Sequence, residues 1–304
     1  MKKVLLSSII LFFGKILFSQ NIDTVKFARW INENSIELKG SGFNQLAEKL
    51  SDKTIIGLGE CLHGSKTIDN MRFDVAKALI ENSDFNIVAF EMPFNIGLQI
   101  NHFLQTGDGD IEQILQQSHP FTRTTEMVDF IKWIKDFEGE KSKIILFAHN
   151  AHLGKSLRLS PRVRTLSAQG FYEDWGGEFA TGHYLNEFFD EYYFIGTQFG
   201  NGFFMGFDPE NDFRFSKLEV TSPEPYSLPH LLQQASKFPY FIDLRSPKAE
   251  TWQIVNYLRS FQSFYHIGAA YDFKYSKARL IDYFDAIIYI DKIEESNRFE
   301  FEQK

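Results

Sequence analysis

The stretch from Thr54 to Ser65, TIIGLGECLHGS, places the tightest limit on what this chain can fold into. A short apolar run, rich in β-branched residues, ends in glycine and is followed closely by Glu60 and His63. An amphipathic helical pattern then runs from about Thr67 to Glu81. This order predicts a buried strand, a tight loop and a helix. The carboxylate and the imidazole then lie at the carboxyl end of the strand, where open α/β sheets bind their ligands.

Two later segments end in the same way. Asn86–Phe90 is typical of a buried strand and is followed directly by Glu91, whereas Lys143–Ala148 leads into a short His-Asn-Ala-His run. If the three strands are parallel neighbours, their carboxyl ends meet at one edge of the sheet. We therefore predict an α/β fold with a mainly parallel central sheet flanked by helices. The active site is expected at the carboxyl ends of the strands, with the side chains of Glu60, His63, Glu91, His149 and His152.

The first 20 residues have the pattern of a signal peptide rather than of folded structure. Lys2 and Lys3 form a basic start, Val4–Phe18 is largely apolar, and Ser19 or Gln20 offers a cleavage position. An N-terminal anchor helix is the alternative, but the apolar run is short and contains a lysine. We predict an exported protein, periplasmic or secreted, with no membrane span after the signal is removed.

Residues 21–304 show no linker, repeat or change of composition, so we predict a single α/β domain. The chain has 40 acidic residues against 32 basic ones, which argues against a nucleic-acid partner because such a partner requires a basic face. Its single cysteine, Cys61, excludes an intramolecular disulfide. The fold must therefore depend on its core, to which 33 Phe and 12 Tyr contribute.

Further elements follow from apolar periodicity. Helical patterns cover residues 22–50, 95–105 and 124–138. Five more strand patterns occupy the second half of the chain: Tyr192–Gln198, Phe213–Thr221, Tyr240–Leu244, Phe264–Gly268 and Ala286–Ile290.

The motifs of several hydrolase classes are absent from the sequence. No G-x-S-x-G nucleophile elbow and no H-E-x-x-H zinc helix is present. Cys61 lies beside His63 and is a candidate nucleophile, although a lone cysteine in such a loop is more often a small packed residue. The remaining chemistry is water activated by an imidazole and a carboxylate.

Two forms of this chemistry fit the residues equally well. In the metal-free form one histidine takes a proton from water, a carboxylate orients it, and a second histidine or an arginine stabilises the oxyanion. Arg72, in the helix after His63, is the arginine candidate, with a surface salt bridge as the alternative interpretation. In the second form a divalent ion such as zinc or manganese is bound among Glu60, His63, Glu91, His149 and His152. No cofactor is firmly implied.

Taken together, these motifs resemble those of a known family, the erythromycin esterases. The resemblance rests first on three motifs: Gly57-Leu58-Gly59-Glu60-Cys61-Leu62-His63-Gly64 with Arg72, then Phe90-Glu91, then Ala148-His149-Asn150-Ala151-His152. Further similarity covers Gly182-His183-Tyr184-Leu185, Tyr193-Phe194-Ile195-Gly196, Asp243-Leu244-Arg245-Ser246 and Phe284-Asp285-Ala286-Ile287.

The resemblance implies an α/β hydrolase that cleaves an ester or lactone of a small molecule. His63 matches the family's proposed general base, and the surrounding functional positions match Glu60, Arg72, Glu91, His149 and His152. The macrolide esterases of the family carry a long helical insertion between the second and third motifs, whereas this chain has only residues 92–148 there. A macrolide substrate and a role in antibiotic resistance are therefore not favoured. A metal-dependent hydrolase and a non-catalytic envelope ligand-binding protein are the alternatives.

Overall fold

The computed structural model describes residues 22–136, 143–156, 180–245, 252–270 and 274–298. The predicted signal peptide, residues 1–20, lies outside these ranges, so export stays a prediction. Within the same ranges no helix is long and apolar enough to cross a membrane.

Strands and helices alternate along most of the chain. The strands are β1 (Ile36–Glu37), β2 (Ile55–Glu60), β3 (Phe85–Phe90), β4 (Lys143–His149), β5 (Tyr192–Asp208), β6 (Arg214–Val220), β7 (Tyr240–Asp243), β8 (Phe261–Tyr265), β9 (Tyr275–Arg279) and β10 (Ala286–Ile293). The helices are α1 (Thr24–Asn34), α2 (Gly42–Lys49), α3 (Lys66–Asn82), α4 (Phe94–Thr106), α5 (Ile111–Gln116), α6 (Thr125–Lys135), α7 (Asn150–Leu153), α8 (Thr181–Phe188), α9 (Leu228–Leu232), α10 (Trp252–Arg259) and α11 (Leu280–Tyr283), with a 3₁₀ turn at Pro120–Thr122.

Eight of the described strands form one sheet in the order β1-β7-β10-β5-β2-β4-β3, with β6 paired to β5. The run β10-β5-β2-β4-β3 is parallel throughout, whereas β7, β1 and β6 are antiparallel to their neighbours. The predicted α/β fold with a mainly parallel central sheet is confirmed. The three predicted site-bearing strands, β2, β4 and β3, are adjacent.

Strand β2 is buried along its whole length because helices cover both faces of the sheet. Ile56 and Leu58 pack on the face covered by α2 to α6, and Ile55 packs on the face covered by α1 and α9 to α11. At Gly59 a Cβ atom would overlap the side chain of Asn150, so this strand position needs a glycine. The close packing brings the start of α7 directly against the end of β2.

The structure departs from two of the predicted strands. Strand β5 does not stop near Gln198 but continues to Asp208, and from Gly202 onward it pairs with β6, forming a two-stranded arm. The predicted strand Phe264–Gly268 is wrong in its bounds, because β8 ends at Tyr265 and pairs with β9 outside the main sheet. The backbone of residues 266–268 instead bonds to other loops, chiefly the loop after β2.

Candidate active site

The loop after β2 is held by main-chain hydrogen bonds to distant segments. The Cys61 carbonyl accepts the N–H of Ile267 at 2.7 Å, and the His63 N–H donates to the carbonyl of Gly268 at 3.1 Å. Gly64 has φ +76°, and its carbonyl accepts the N–H of Met205, from the β5–β6 arm, at 2.8 Å. A Cβ atom at Gly64 would overlap the Met205 carbonyl oxygen. The loop thus has one well-defined path, which presents His63 beside the sheet edge.

Glu60, the last residue of β2, joins His63 to Arg72. Its Oε1 lies 2.7 Å from Nδ1 of His63, and its Oε2 accepts a hydrogen bond from Nη2 of Arg72 at 2.7 Å. With Glu60 ionised, Nδ1 must carry the proton, so the neutral ring keeps its lone pair on Nε2. Burial lowers the pKa of His63, but the charge and hydrogen bond of Glu60 outweigh burial and leave that pKa raised.

Arg72 is buried, so the interpretation as a surface salt bridge is wrong. Besides Glu60, its guanidinium donates to Oδ1 of Asp69 at 2.6 Å and to the Leu58 carbonyl at 3.3 Å. It also lies 5.5 Å from the centre of the Phe147 ring, a cation–π contact. Burial raises the pKa of Asp69 to about 7, although Arg72 opposes the rise. Sequence reasoning missed Asp69, whose signal is its i,i+3 spacing to Arg72.

Glu91 follows β3 and contacts the segment after β4. Its Oε2 accepts the backbone N–H of His149 at 2.8 Å, and its Oε1 lies 3.0 Å from Nε2 of His152. Burial raises the pKa of Glu91, but the hydrogen bond from His152 and the charge of His63 bring it down to about 2. Glu91 therefore pairs with His152. Of the two carboxylates considered as the partner of His63, the structure selects Glu60.

His149 lies opposite Glu60 in the β2–β4 register and caps α7, where its Nδ1 accepts the N–H of Ala151 at 3.2 Å. Its ring centre is 5.3 Å from that of His63 and 4.8 Å from that of His266. Burial, with His266 and His63 adding to it, lowers the pKa of His149 well below the usual value. Burial also lowers the pKa of His266 to about 4. His266 was not predicted, since its position beside His149 depends on a contact remote in sequence.

A cavity of about 230 Å³ opens beside His63. Its wall combines carboxylates, one arginine and three phenylalanine rings; the lining residues are Glu60, His63, Gly64, Asp69, Arg72, Phe90, Glu91, His119, Phe121, Thr122, Met127, Phe147 and Ala148. His119 and Phe121 were not predicted from the sequence. They come from the 3₁₀ turn and the residue before it, which carry no sequence motif.

The donor set does not suit a metal ion as the side chains are placed. In the part of the chain that the structure describes, no three His, Cys, Asp or Glu side chains are grouped to hold one. Glu60 is engaged by His63 and Arg72, and Glu91 is engaged by His152. Cys61 does not suit the role of nucleophile either, because burial raises the pKa of its thiol to about 12.

A family model described as erythromycin esterase matches residues 80–142 and 117–293, which is more than half of the chain. The chain belongs to the erythromycin esterase family. Membership supports a hydrolase that acts on a small molecule. The matched residues begin after Glu60, His63 and Arg72, so the roles of these three depend on their geometry. No curated protein shows significant similarity to the chain.

Three solved structures share the fold of this family member. A Bacillus cereus protein has a TM-score of 0.77 and 15% identity over 91% of this chain and 100% of that one. A succinoglycan biosynthesis protein has a TM-score of 0.76 and 16% identity over 90% and 98%. A mutant of the erythromycin esterase EreC in its open conformation has a TM-score of 0.56 and 13% identity over 87% and 97%. At such identities the likeness concerns the fold alone.

Proposed function

We propose that the chain hydrolyses a carboxylic ester or lactone, with His63 as the general base that activates water. The observation that carries this proposal is the 2.7 Å hydrogen bond between Nδ1 of His63 and Glu60 at the edge of the cavity. It fixes the ring and its tautomer and makes Nε2 the basic atom. The raised pKa makes this imidazole a stronger base than an ordinary histidine.

The reaction proceeds in two proton-balanced steps. In the first, Nε2 of His63 takes a proton from water while the water oxygen forms a bond to the carbonyl carbon, and the carbonyl π electrons move to oxygen. In the second, the electrons return, the bond to the alcohol oxygen breaks, and the imidazolium gives its proton to that oxygen. The products are a carboxylic acid and an alcohol, or a hydroxy acid from a lactone.

The other site residues support this base. The guanidinium of Arg72 lines the cavity, so its positive charge favours the oxyanion that forms there. Glu60 positions both His63 and Arg72. We propose that Glu91, His149 and His152 are positioning residues, because Glu91 joins the end of β3 to both histidines after β4.

The test is a panel of aryl and alkyl esters and lactones, assayed with and without a chelator. His63→Gln and His63→Ala should lower turnover by about 10²–10⁴-fold, the usual effect of losing a general base. Cys61→Ala is the matched control and should leave turnover unchanged, since the thiol takes no part.

Three other outcomes of this assay would each point to a different function or mechanism. Full turnover in His63→Ala overturns the assignment. Loss of activity on chelation favours the metal-dependent hydrolase. Tight binding of a ligand without turnover of any panel member favours the non-catalytic binding protein.

We also propose that the mature protein begins near Gln20 or Asn21 and is exported, on the basis of the leader pattern in residues 1–20. N-terminal sequencing of the protein from its native cell tests this. Recovery of an intact Met1 from the cytoplasm would overturn it.

A further inference from the structure

The cavity beside His63 is small for a ligand site. Pockets that enclose a drug-sized ligand have volumes of roughly 300–1,000 Å³. The volume here is about 230 Å³, so a single small chemical group fills it. His63 and Arg72 both line the cavity, so a group bound there would lie next to the proposed base.

Phe121 forms a fixed wall of this cavity. Its ring centre lies 4.9 Å from the ring centre of His63, with an interplanar angle of 32°. On its other sides it contacts Phe207 of β5 and Phe215 of β6, with ring centres 5.7 Å and 5.3 Å away. Packed between the base and the β5–β6 arm, the ring has little freedom to move aside for a longer group.

The turn that carries Phe121 is also held in place by hydrogen bonds within its own segment. Arg123 donates from Nε and Nη2 to the carbonyl of Ser118 at 3.1 Å and 2.8 Å. The hydroxyl of Thr122 donates to Oγ of Ser118 at 2.9 Å. These bonds close the segment on itself, so the wall is part of the resting structure.

The charges around the cavity are mostly negative. The carboxyl groups of Glu60, Asp69 and Glu91 line it, against one guanidinium that Glu60 and Asp69 already share. Asp69, whose pKa burial raises to about 7, adds its full negative charge only above that pH. Glu91 is further engaged with His152. A carboxylate on the entering group would lie near the charges of Glu60 and Glu91, and the guanidinium of Arg72 is already bound to Glu60 and Asp69, which disfavours its binding.

We propose that the acyl group of the substrate occupies this cavity, and that it is short and uncharged, with Phe121 setting its length and the three carboxylates excluding acids. This inference rests on the proposed esterase function and adds the substrate class. The chain then acts on esters of small acids, such as acetyl or butyryl esters, and not on hemiesters of dicarboxylic acids.

Turnover of a series of esters that differ only in acyl chain length tests the proposed limit on that length. With p-nitrophenyl esters, kcat/KM should fall by at least about 10-fold from butyrate to octanoate, within the range that pocket exclusion gives. Phe121→Ala should remove most of this fall. Phe203→Ala truncates a phenylalanine of the same arm that contacts Lys217 and not the cavity, so it should keep the wild-type profile.

A charge-matched pair tests the exclusion of acids. At about pH 8, where Asp69 is ionised, the p-nitrophenyl hemisuccinate should react at least about 10-fold more slowly than the butyrate. Asp69→Asn should narrow the difference between the two rates. A flat length profile, or equal rates for the hemisuccinate and the butyrate, would overturn the inference while leaving the esterase function standing.

Binding of non-hydrolysable amides separates the two proposals. By ligand-observed NMR, butyramide should bind the wild-type protein, and octanamide and succinamate should bind at least about 10-fold more weakly. This pattern without hydrolysis of any ester would support the cavity assignment and refute the esterase function. Equal binding of the three amides, or binding of none, would refute the cavity assignment.

Discussion

Glu60 uses both oxygens of one carboxylate to hold the imidazole of His63 and the guanidinium of Arg72 next to the cavity. Oε1 meets His63 and Oε2 meets Arg72, so a single residue sets the position of the base and of the positive charge. Arg72 in turn holds Asp69. Loss of the Glu60 charge therefore affects both ends of this chain of hydrogen bonds.

The pH profile of Glu60→Gln provides a test at this residue. A general base works only when deprotonated, so kcat/KM should rise with pH through the pKa of His63. The charge of Glu60 raises that pKa, and burial alone would lower it. The rise should thus move to lower pH in the variant, by about one unit or more. Exposed Glu81→Gln is the control, and an unshifted profile would contradict the role of Glu60.

Cys61 offers a second test at the residue scale. Its side chain is fully buried and burial raises its pKa to about 12, so the native protein holds no reactive thiolate. Iodoacetamide should leave the native protein unmodified and label it in urea, as measured by intact mass. Rapid labelling of the native protein, with loss of turnover, would instead support Cys61 as the catalytic nucleophile.

Among the elements, the loop after β2 depends on the backbone conformation of Gly64. Its φ of +76° is costly for any other residue, and a Cβ atom would overlap the Met205 carbonyl oxygen. The contact with Met205 is one of the points where the β5–β6 arm meets the site, beside the packing of Phe207 and Phe215 on Phe121.

Gly64→Ala should therefore lower the free energy of unfolding by about 1–3 kcal/mol and lower turnover as well. The matched control is Gly97→Ala, within α4, where a Cβ atom meets nothing within 4 Å. It should be neutral or stabilise by up to about 1 kcal/mol, since alanine is the better helix former. Urea denaturation measures both. Equal effects of the two substitutions would show that the loop after β2 can adopt other backbone conformations.

The elements that the sequence predicts well are the three strands that carry the site, of which β2 is buried along its whole length and the edge strand β3 leaves Ile87 exposed. The runs that form β2, β3 and β4 are apolar enough to predict strands, and the polar residue after each marks the sheet edge. The pairing of β8 with β9 and the length of β5 depend on contacts between distant segments, which periodicity does not record. Phe121 and His266 were missed because only the tertiary fold brings them to His63 and His149. Asp69 was missed although its i,i+3 spacing to Arg72 within α3 is a local signal.

At the scale of the whole molecule, a buried charge cluster joins four parts of the chain. Asp285, before β10, accepts the N–H of Phe194 in β5 at 2.7 Å. It also contacts Nζ of Lys155, after α7, at 2.5 Å and pairs with Arg245, after β7. Asp285 and Lys155 are both buried, and burial lowers the pKa of Lys155.

Asp285→Ala should lower the free energy of unfolding by about 3–5 kcal/mol, because it leaves Lys155 buried without its counter-charge. Asp282→Ala removes an exposed pair with Arg279 and should cost at most about 1 kcal/mol. Thermal denaturation at neutral pH compares the two variants. A small effect at Asp285 would indicate that the cluster relaxes and lets water reach the lysine.

The main-chain bonds that hold the His63 loop bear on how this protein can change over evolutionary time. Ile267, Gly268 and Met205 fix the loop through peptide groups, and a peptide group is the same whichever side chain it carries. Apart from a glycine that a close contact requires, these positions are free to drift in sequence while the base keeps its place. Proteins that differ widely in sequence can therefore keep such a backbone path, and an alignment of their sequences would show little trace of it.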